Sequence, residues 1–373
     1  MIAKRPLCVA EFEDVASSLL PVDVWDYVQG GSEHELTLAA NRADLDAVSL
    51  VPRILSDVSE VATDGSLLGG AASAPWAVAP MAYQMLAHPA GELATAAAAK
   101  AVGVPMIAST LSSCTIEEIA AVGGDIWFQL YWLRDRAQMA EMLVRAEKSG
   151  CQALVLTVDV PRMGRRLRDM RNAFALPDSI GATNLCPGSA DRARVTQDGH
   201  SAVATHTASA FDPSLSWSDL DWLRDRTRLP LVIKGVLAAE DAVRAVEIGV
   251  DAVVVSNHGG RQLDGAVSSI VALPTVSEAV AGRCQVLFDS GVRGGTDVLR
   301  ALALGADGVL IGRPVLWGLA VDGEQGVTRV LRLLREELTD AMALAGAADL
   351  VSAKRLRVTL ASGAHGGGNR WQI

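Results

Sequence analysis

Residues 239–261 read AEDAVRAVEIGVDAVVVSNHGGR. The first ten, AEDAVRAVEI, carry apolar positions at helical spacing, as an amphipathic helix does. Gly249 follows, where a helix C-cap needs a residue that accepts left-handed backbone. DAVVVS then runs through consecutive aliphatics to a small residue, which suits a strand of a parallel sheet covered on both faces. The same grammar recurs twice. AQMAEMLVRAEKS leads through Gly150 into CQALVLT, ending at Thr157, and GTDVLRALAL leads through Gly305 into ADGVLIG, ending at Gly312.

Five further aliphatic runs fit the alternation: WAVAPM (76–81), PMIAS (105–109), IWFQLY (126–131), PLVIKG (230–235) and QVLFD (285–289). Helical patterns such as GELATAAAAKAV and TIEEIAAV lie between them. Regular βα alternation points to a parallel α/β architecture, and eight units favour a closed (βα)8 TIM barrel over a doubly wound open sheet. Residues 1–60 read as a helical N-terminal extension. Residues 172–215, after the fourth strand, read as a long active-site loop with little periodicity. Residues 361–373 read as a loose Gly-rich tail, and the whole chain as one domain.

Composition agrees with a barrel. Half the residues are hydrophobic but only 4% are aromatic, so the core is aliphatic. A formal net charge of −10 disfavours nucleic acid, which needs a basic surface. Cys8, Cys114, Cys151, Cys186 and Cys284 are dispersed, which argues against a disulfide framework or a zinc site. The longest uncharged run, Gly65 to Ala87, is broken by Gly69, Gly70, Pro75, Pro80 and Gln84, and reads as buried strand and loop rather than membrane span. With Lys4, Arg5, Glu11, Glu13 and Asp14 near the start, the expectation is a cytoplasmic protein working off the membrane.

In such a barrel the C-terminal strand ends line the active site. Gln129 and Tyr131 end the third strand; Thr157, Asp159, Arg162, Arg165 and Arg166 follow the fourth; Lys234 ends the fifth. The sixth runs into Ser256-Asn257-His258-Gly259-Gly260-Arg261, the seventh into Asp289-Ser290-Gly291 and Arg293, the eighth into Gly312-Arg313-Pro314. Lys234 follows four apolar residues, which predicts burial and a need for an anionic partner. His258, between a buried strand and a Gly-Gly turn with Arg261 close by, suits a general base beside an anion site. The turns DSGVRGG and IGRP suit a phosphate, so a phosphorylated cofactor is expected.

These residues resemble the FMN-dependent α-hydroxy acid oxidases and dehydrogenases. AHPAGE, FQLYW, LTVDVPRMGRRLRDMRNAF, KGV, SNHGGRQLDGAV, GVRGGTD and GADGVLIGRP fall in that family's order over nearly the whole chain. The string MGRRLRDMRNAFALP is nearest to members that oxidise 4-hydroxymandelate. The resemblance implies FMN as cofactor, His258 as base and Asp159 as its orienting partner. It implies Arg261 and Arg166 as a clamp on the substrate carboxylate, and Tyr131 as a hydrogen-bond donor to the substrate. Lys234 would face flavin N1 and O2; Ser109, Gln129, Thr157 and Ser256 would bond the ring or ribityl chain. The main chain of Pro80, Met81 and Ala82 would lie behind the ring. Asp289, Ser290, Gly291, Arg293, Gly312 and Arg313 would hold the ribityl chain and phosphate.

Four departures bear on the substrate and the phosphate site. The family often has Tyr at the position of Trp25, Thr at that of Met81 and Trp at that of Leu111. Trp25, Met81 and Met163 would then shape a larger, apolar pocket. Ser290 stands where the family has Gly. The expected reaction is oxidation of an (S)-2-hydroxy acid, mandelate or 4-hydroxymandelate, to the 2-keto acid, with O2 reduced to hydrogen peroxide. The alternatives are a dehydrogenase passing electrons to a quinone or protein, an oxidase of lactate or glycolate, and a phosphate-ligand barrel without redox activity. The resemblance also implies a homo-oligomer, a tetramer.

Overall fold

A computed structural model describes residues 6–185 and 201–360. The chain opens with α1 (Glu11–Leu19), α2 (Val22–Gln29) and α3 (Leu36–Ala47), then β1 (Val48–Leu50) and the hairpin β2 (Gly65–Leu67)–β3 (Gly70–Ala72). The barrel units follow: β4 (Trp76–Val78), α4 (Gly91–Val102), β5 (Met106–Ser109), α5 (Ile116–Ala121), β6 (Ile126–Tyr131), α6 (Arg136–Lys148) and β7 (Leu154–Thr157). After α7 (Leu167–Arg171), α8 (Ala202–Ala210) and α9 (Asp219–Arg224) come β8 (Leu231–Val236), α10 (Ala239–Ile248), β9 (Ala252–Val255), α11 (Ser269–Val280), β10 (Gln285–Phe288), α12 (Gly295–Ala303) and β11 (Gly308–Ile311). The chain ends in α13 (Arg313–Ala345), α14 (Leu350–Ala353) and β12 (Val358–Leu360).

Strands β4 to β11 close into one parallel barrel, in the order β10-β11-β4-β5-β6-β7-β8-β9. All eight expected strands are present, and the open sheet is excluded. Gly150, Gly249 and Gly305 sit at φ +83, +84 and +103 just after α6, α10 and α12, as helix stops. The first strand is shorter than the run WAVAPM: it stops at Val78, because Pro80 has no N–H to continue the ladder. The released segment 79–82 becomes a wall of the cleft described below.

Two expectations outside the barrel need correction. The N-terminal extension is helical only to Ala47; β1 then pairs antiparallel with β12, Val48 opposite Leu360. The segment 172–215 is not all loop, because Ala202–Ala210 form α8, with Ser201 accepting a capping bond from Ala204 N. Its residues 186–200, the tail 361–373, and Lys4, Arg5 and Cys186 lie outside the described residues. Among the described residues no helix is long and apolar enough to cross a membrane.

Candidate active site

The barrel interior is built in layers, and the pleat sets them. Ala77, Ile107, Trp127, Val155, Val232, Val254, Leu287 and Leu310, one from each barrel strand, form a buried inner cluster that Leu67 of the β2–β3 hairpin joins. Alternate residues of a strand share a face. Two positions further along each chain stand Ala79, Ser109, Gln129, Thr157, Lys234, Ser256, Asp289 and Gly312. The layer above the apolar one is therefore polar and charged, at the end where such barrels carry their sites.

Lys234 is buried, and its Nζ lies 2.8 Å from Asp289 Oδ2 and donates to Ser256 Oγ at 2.8 Å. Burial works against its charge, but Asp289 and Asp159 outweigh that and raise its pKa. His258 follows β9 at φ +59. Its main-chain N donates to Ser256 Oγ at 3.0 Å, and its Nδ1 lies 3.0 Å from Asp159 Oδ1. Burial lowers the imidazole pKa, and Lys234 and Arg166 add to this; Asp159 pulls the other way without overcoming it. Burial pushes Asp159 up, but His258 and Lys234 hold its carboxyl below the usual range. At neutral pH the pair is thus a carboxylate holding a neutral imidazole. Nδ1–H donates to Asp159, which leaves the Nε2 lone pair free to accept a proton.

Two arginines flank Tyr27, with Arg166 Cζ 5.9 Å and Arg261 Cζ 5.2 Å from the ring centre. Burial pushes Arg261 down to about 10, and Arg166 beside it adds repulsion. Burial likewise brings Arg293 down to about 10, and it drives Arg313 well below its usual value, Arg261, Arg293 and Arg166 adding to the effect. Arg261 Nη1 donates to the carbonyls of Tyr27 (2.7 Å) and Gly30 (2.9 Å). Arg313 donates to those of Val28 (3.1 Å), Gly30 (3.0 Å) and Gly259 (3.1 Å). The C-terminal carbonyls of α2 thus seat two of the cations. Among the described residues, the buried atoms Gln129 Nε2, Arg166 Nε and Asp159 Oδ2 around the site have no hydrogen-bond partner. Buried cations and unmatched polar atoms together describe a receptor for a polar, anionic ligand.

One cleft, with about 1190 Å³ of space counted out to its solvent mouth, collects most of the expected residues. Pro80, Met81, Ala82, Tyr131, Thr157, Arg166, Lys234, His258, Arg261, Asp289, Ser290, Gly291, Arg293, Gly312 and Arg313 line it. Asp159 stands behind His258, and Ser256 behind Lys234. Ser109 and Gln129 are buried and not among the lining residues; Ser109 Oγ and Thr110 N donate to Gln129 Oε1, each at 3.2 Å. Among the described residues no group of three or more His, Cys, Asp or Glu is placed to hold a metal ion.

Trp25 is a correction. It does not line the cleft; Tyr27 does. Residues two apart on a helix point about 200° from each other, so a helix that presents Tyr27 turns Trp25 away. The cleft also has a wall that the sequence reading missed: Val203, Thr207 and Phe211, from α8 and the residue after it. Phe211 stacks on Tyr131 at 4.4 Å, and Phe174 stacks on Tyr27 at 4.6 Å. Both aromatic partners come from the segment read as loop. Met163, with Met81, does line the cleft as expected.

Comparison with known proteins adds three findings. Residues 16–359 match the family described as FMN-dependent dehydrogenase. The chain is 53% identical over 352 residues to 4-hydroxymandelate oxidase of Amycolatopsis orientalis, covering 94% of this chain and 98% of that one. It is 48% identical over 350 residues to L-lactate oxidase of a Nostoc species, covering 92% and 96%. Among solved structures, mandelate oxidase with (S)-4-hydroxymandelic acid superposes with a TM-score of 0.93 at 52% identity, covering 95% of this chain and 99% of that one.

Proposed function

The chain belongs to the FMN-dependent dehydrogenase family, and we propose that it is an oxidase of aromatic (S)-2-hydroxy acids, mandelate or 4-hydroxymandelate, making the 2-keto acid and hydrogen peroxide. The observation that carries this reading is the base at the centre of an anion receptor. His258, held by Asp159 at 3.0 Å, shares one cleft with Arg166, Arg261 and Tyr131. The apolar wall of Met81, Met163, Val203 and Phe211 supports an aromatic side chain on the substrate.

The residues present fit FMN. Gln129 Nε2 is a buried donor without a partner, as a flavin edge would require. Burial holds the pKa of Arg293 and Arg313 down, and Arg261, Arg293 and Arg166 add to the effect at Arg313, which is the electrostatic setting a phosphate would relieve. Lys234, Thr157, Gln129 and Asp289 would hold the ring and ribityl chain, and Arg293 and Arg313 the phosphate. When bound, the cofactor supplies a two-electron acceptor. The protein residues do the rest. Arg166 and Arg261 bind the substrate carboxylate and fix its orientation. Tyr131, whose burial keeps its hydroxyl protonated, donates a hydrogen bond. His258 Nε2 takes up one substrate proton, and Asp159 stabilises the imidazolium that results. Phe211 and Met163 cover the aromatic group and exclude water.

Anaerobic addition of mandelate to the FMN-loaded protein tests the reading. Mandelate should bleach the flavin, and in air peroxide should form in step with the keto acid. Bleaching by lactate or glycolate but not by mandelate would overturn the aromatic assignment. Keto acid formed without peroxide would overturn the oxidase.

A further inference from the structure

Ser290 holds φ +82, a backbone region that costs an L-residue energy and a glycine almost nothing. What it supplies in return is a hydroxyl with two partners. Ser290 Oγ donates to Asp289 Oδ1 at 2.8 Å and accepts from Gly259 N at 3.0 Å. Asp289 uses its other oxygen, Oδ2, for Lys234 at 2.8 Å. Lys234 donates to Ser256 Oγ, which also accepts from His258 N. The contacts close a loop: Lys234, Ser256, the His258–Gly259 main chain, Ser290, Asp289, and back to Lys234. Ser256 is completely buried, and Ser290 and Asp289 nearly so, so water does not readily replace these bonds.

We propose that Ser290 is a positioning residue that couples the backbone seat of His258 to the charge of the Lys234–Asp289 pair. Its O–H takes up part of the Asp289 carboxylate charge, which leaves the ammonium of Lys234 free to act toward the cleft. Its lone pair holds Gly259 N, next to His258, in a turn with positive φ at three successive residues, His258, Gly259 and Gly260. One hydroxyl therefore serves both the base and the buried cation. The inference rests on the proposed FMN oxidase function, since it concerns the charge that Lys234 presents to the cofactor.

Two substitutions separate hydroxyl from backbone. Ser290→Ala keeps the strained conformation and loses the hydroxyl; Ser290→Gly loses the hydroxyl and relieves the strain. The measurements are sulfite affinity of the FMN-saturated protein, which reports positive charge near the flavin, and the split of kcat from KM for mandelate. Both variants should bind sulfite about three- to tenfold more weakly and lose kcat by a similar factor, the size expected for one hydrogen bond, with KM little changed. Ser290→Gly should also gain thermal stability over Ser290→Ala. Sulfite affinity and kcat equal to those of the parent in both variants would overturn the proposal. A parent-like Ala variant beside an altered Gly variant would assign the effect to the backbone and overturn it too. If the parent takes up no FMN, the functional reading itself fails; if it takes up FMN and bleaches with mandelate, only the behaviour of Ser290 is in question.

Discussion

The same eight strands carry two adjacent layers that have almost nothing chemical in common. Val155, Val232, Val254 and Leu287 belong to an apolar layer, in which the Trp127 indole N–H is answered by Asp125 at 3.0 Å; Thr157, Lys234, Ser256 and Asp289, two residues on, belong to a polar one. Backbone pairing continues through both: Leu156 faces Ile233, and Thr157 faces Lys234, in one parallel ladder. Pleat and register are shared, so the difference lies wholly in side chains. The apolar layer tolerates no unpaired polar atom, because nothing there answers it. The polar layer keeps an unpaired donor at Gln129 Nε2, which a ligand can answer. Stability and function are thus separated by one pleat repeat.

The sharpest way to test the division is at its most reactive point. His258→Ala should slow flavin reduction by mandelate about 10⁴-fold, the upper range for a general base, while FMN stays bound; stopped-flow absorbance measures both. A variant that still reduces its flavin at a substantial rate would remove His258 from the base role. Asp159→Asn should cost less, about 10²-fold in kcat/KM. The pH profile gives its sign. Asp159 raises the His258 pKa, so its loss should move the acid limb to still lower pH and weaken the base. In the parent, burial already holds that pKa below 6.5. The unfolded chain therefore binds a proton that the native ring refuses, and stability should fall as pH drops through that window. The smallest effect comes from isosteric swaps on β7. Val155→Thr should cost about 2 kcal/mol in urea unfolding, since it puts an unanswered hydroxyl in the apolar layer. Thr157→Val should cost under about 1 kcal/mol, and it should weaken FMN instead. Equal costs at the two positions would erase the distinction between the layers.

Much of this was legible in the sequence because two local rules meet at each strand end. A glycine stop followed by an aliphatic run marks a buried parallel strand, and the first polar residue beyond it marks the site. Thr157 and Ser256 follow both rules; Lys234 and Asp289 follow the second, each being the first polar residue after an aliphatic run. The misses came where a local rule leaves orientation open. Trp25 and Tyr27 belong to the same short helix, and only its packing decides which one faces the cleft. Val203, Thr207 and Phe211 lie in a segment of small and polar residues whose helix shows little apolar periodicity, so it read as loop. The strand at 76–81 ended early because the apolar run continues through Pro80, where hydrogen bonding cannot.

The helix α3 has a consequence for where this protein begins in any practical sense. Asn41 and Asn257 exchange side-chain amide bonds at 2.9 and 2.7 Å. Arg42 reaches Gly291 O and, at 2.7 Å, Asp297, whose carboxylate also accepts from Arg293 N at 2.8 Å. A side chain at Gly260 would lie 2.6 Å from Leu38 Cα. A trimmed protein starting at β4 would keep every barrel strand, yet it would lose Tyr27, the carbonyl seats of Arg261, two of the three seats of Arg313, and the splint across both catalytic loops. The length of chain that holds the barrel strands and the length that completes the site are different. An engineer transplanting this site would have to carry α2 and α3 with it.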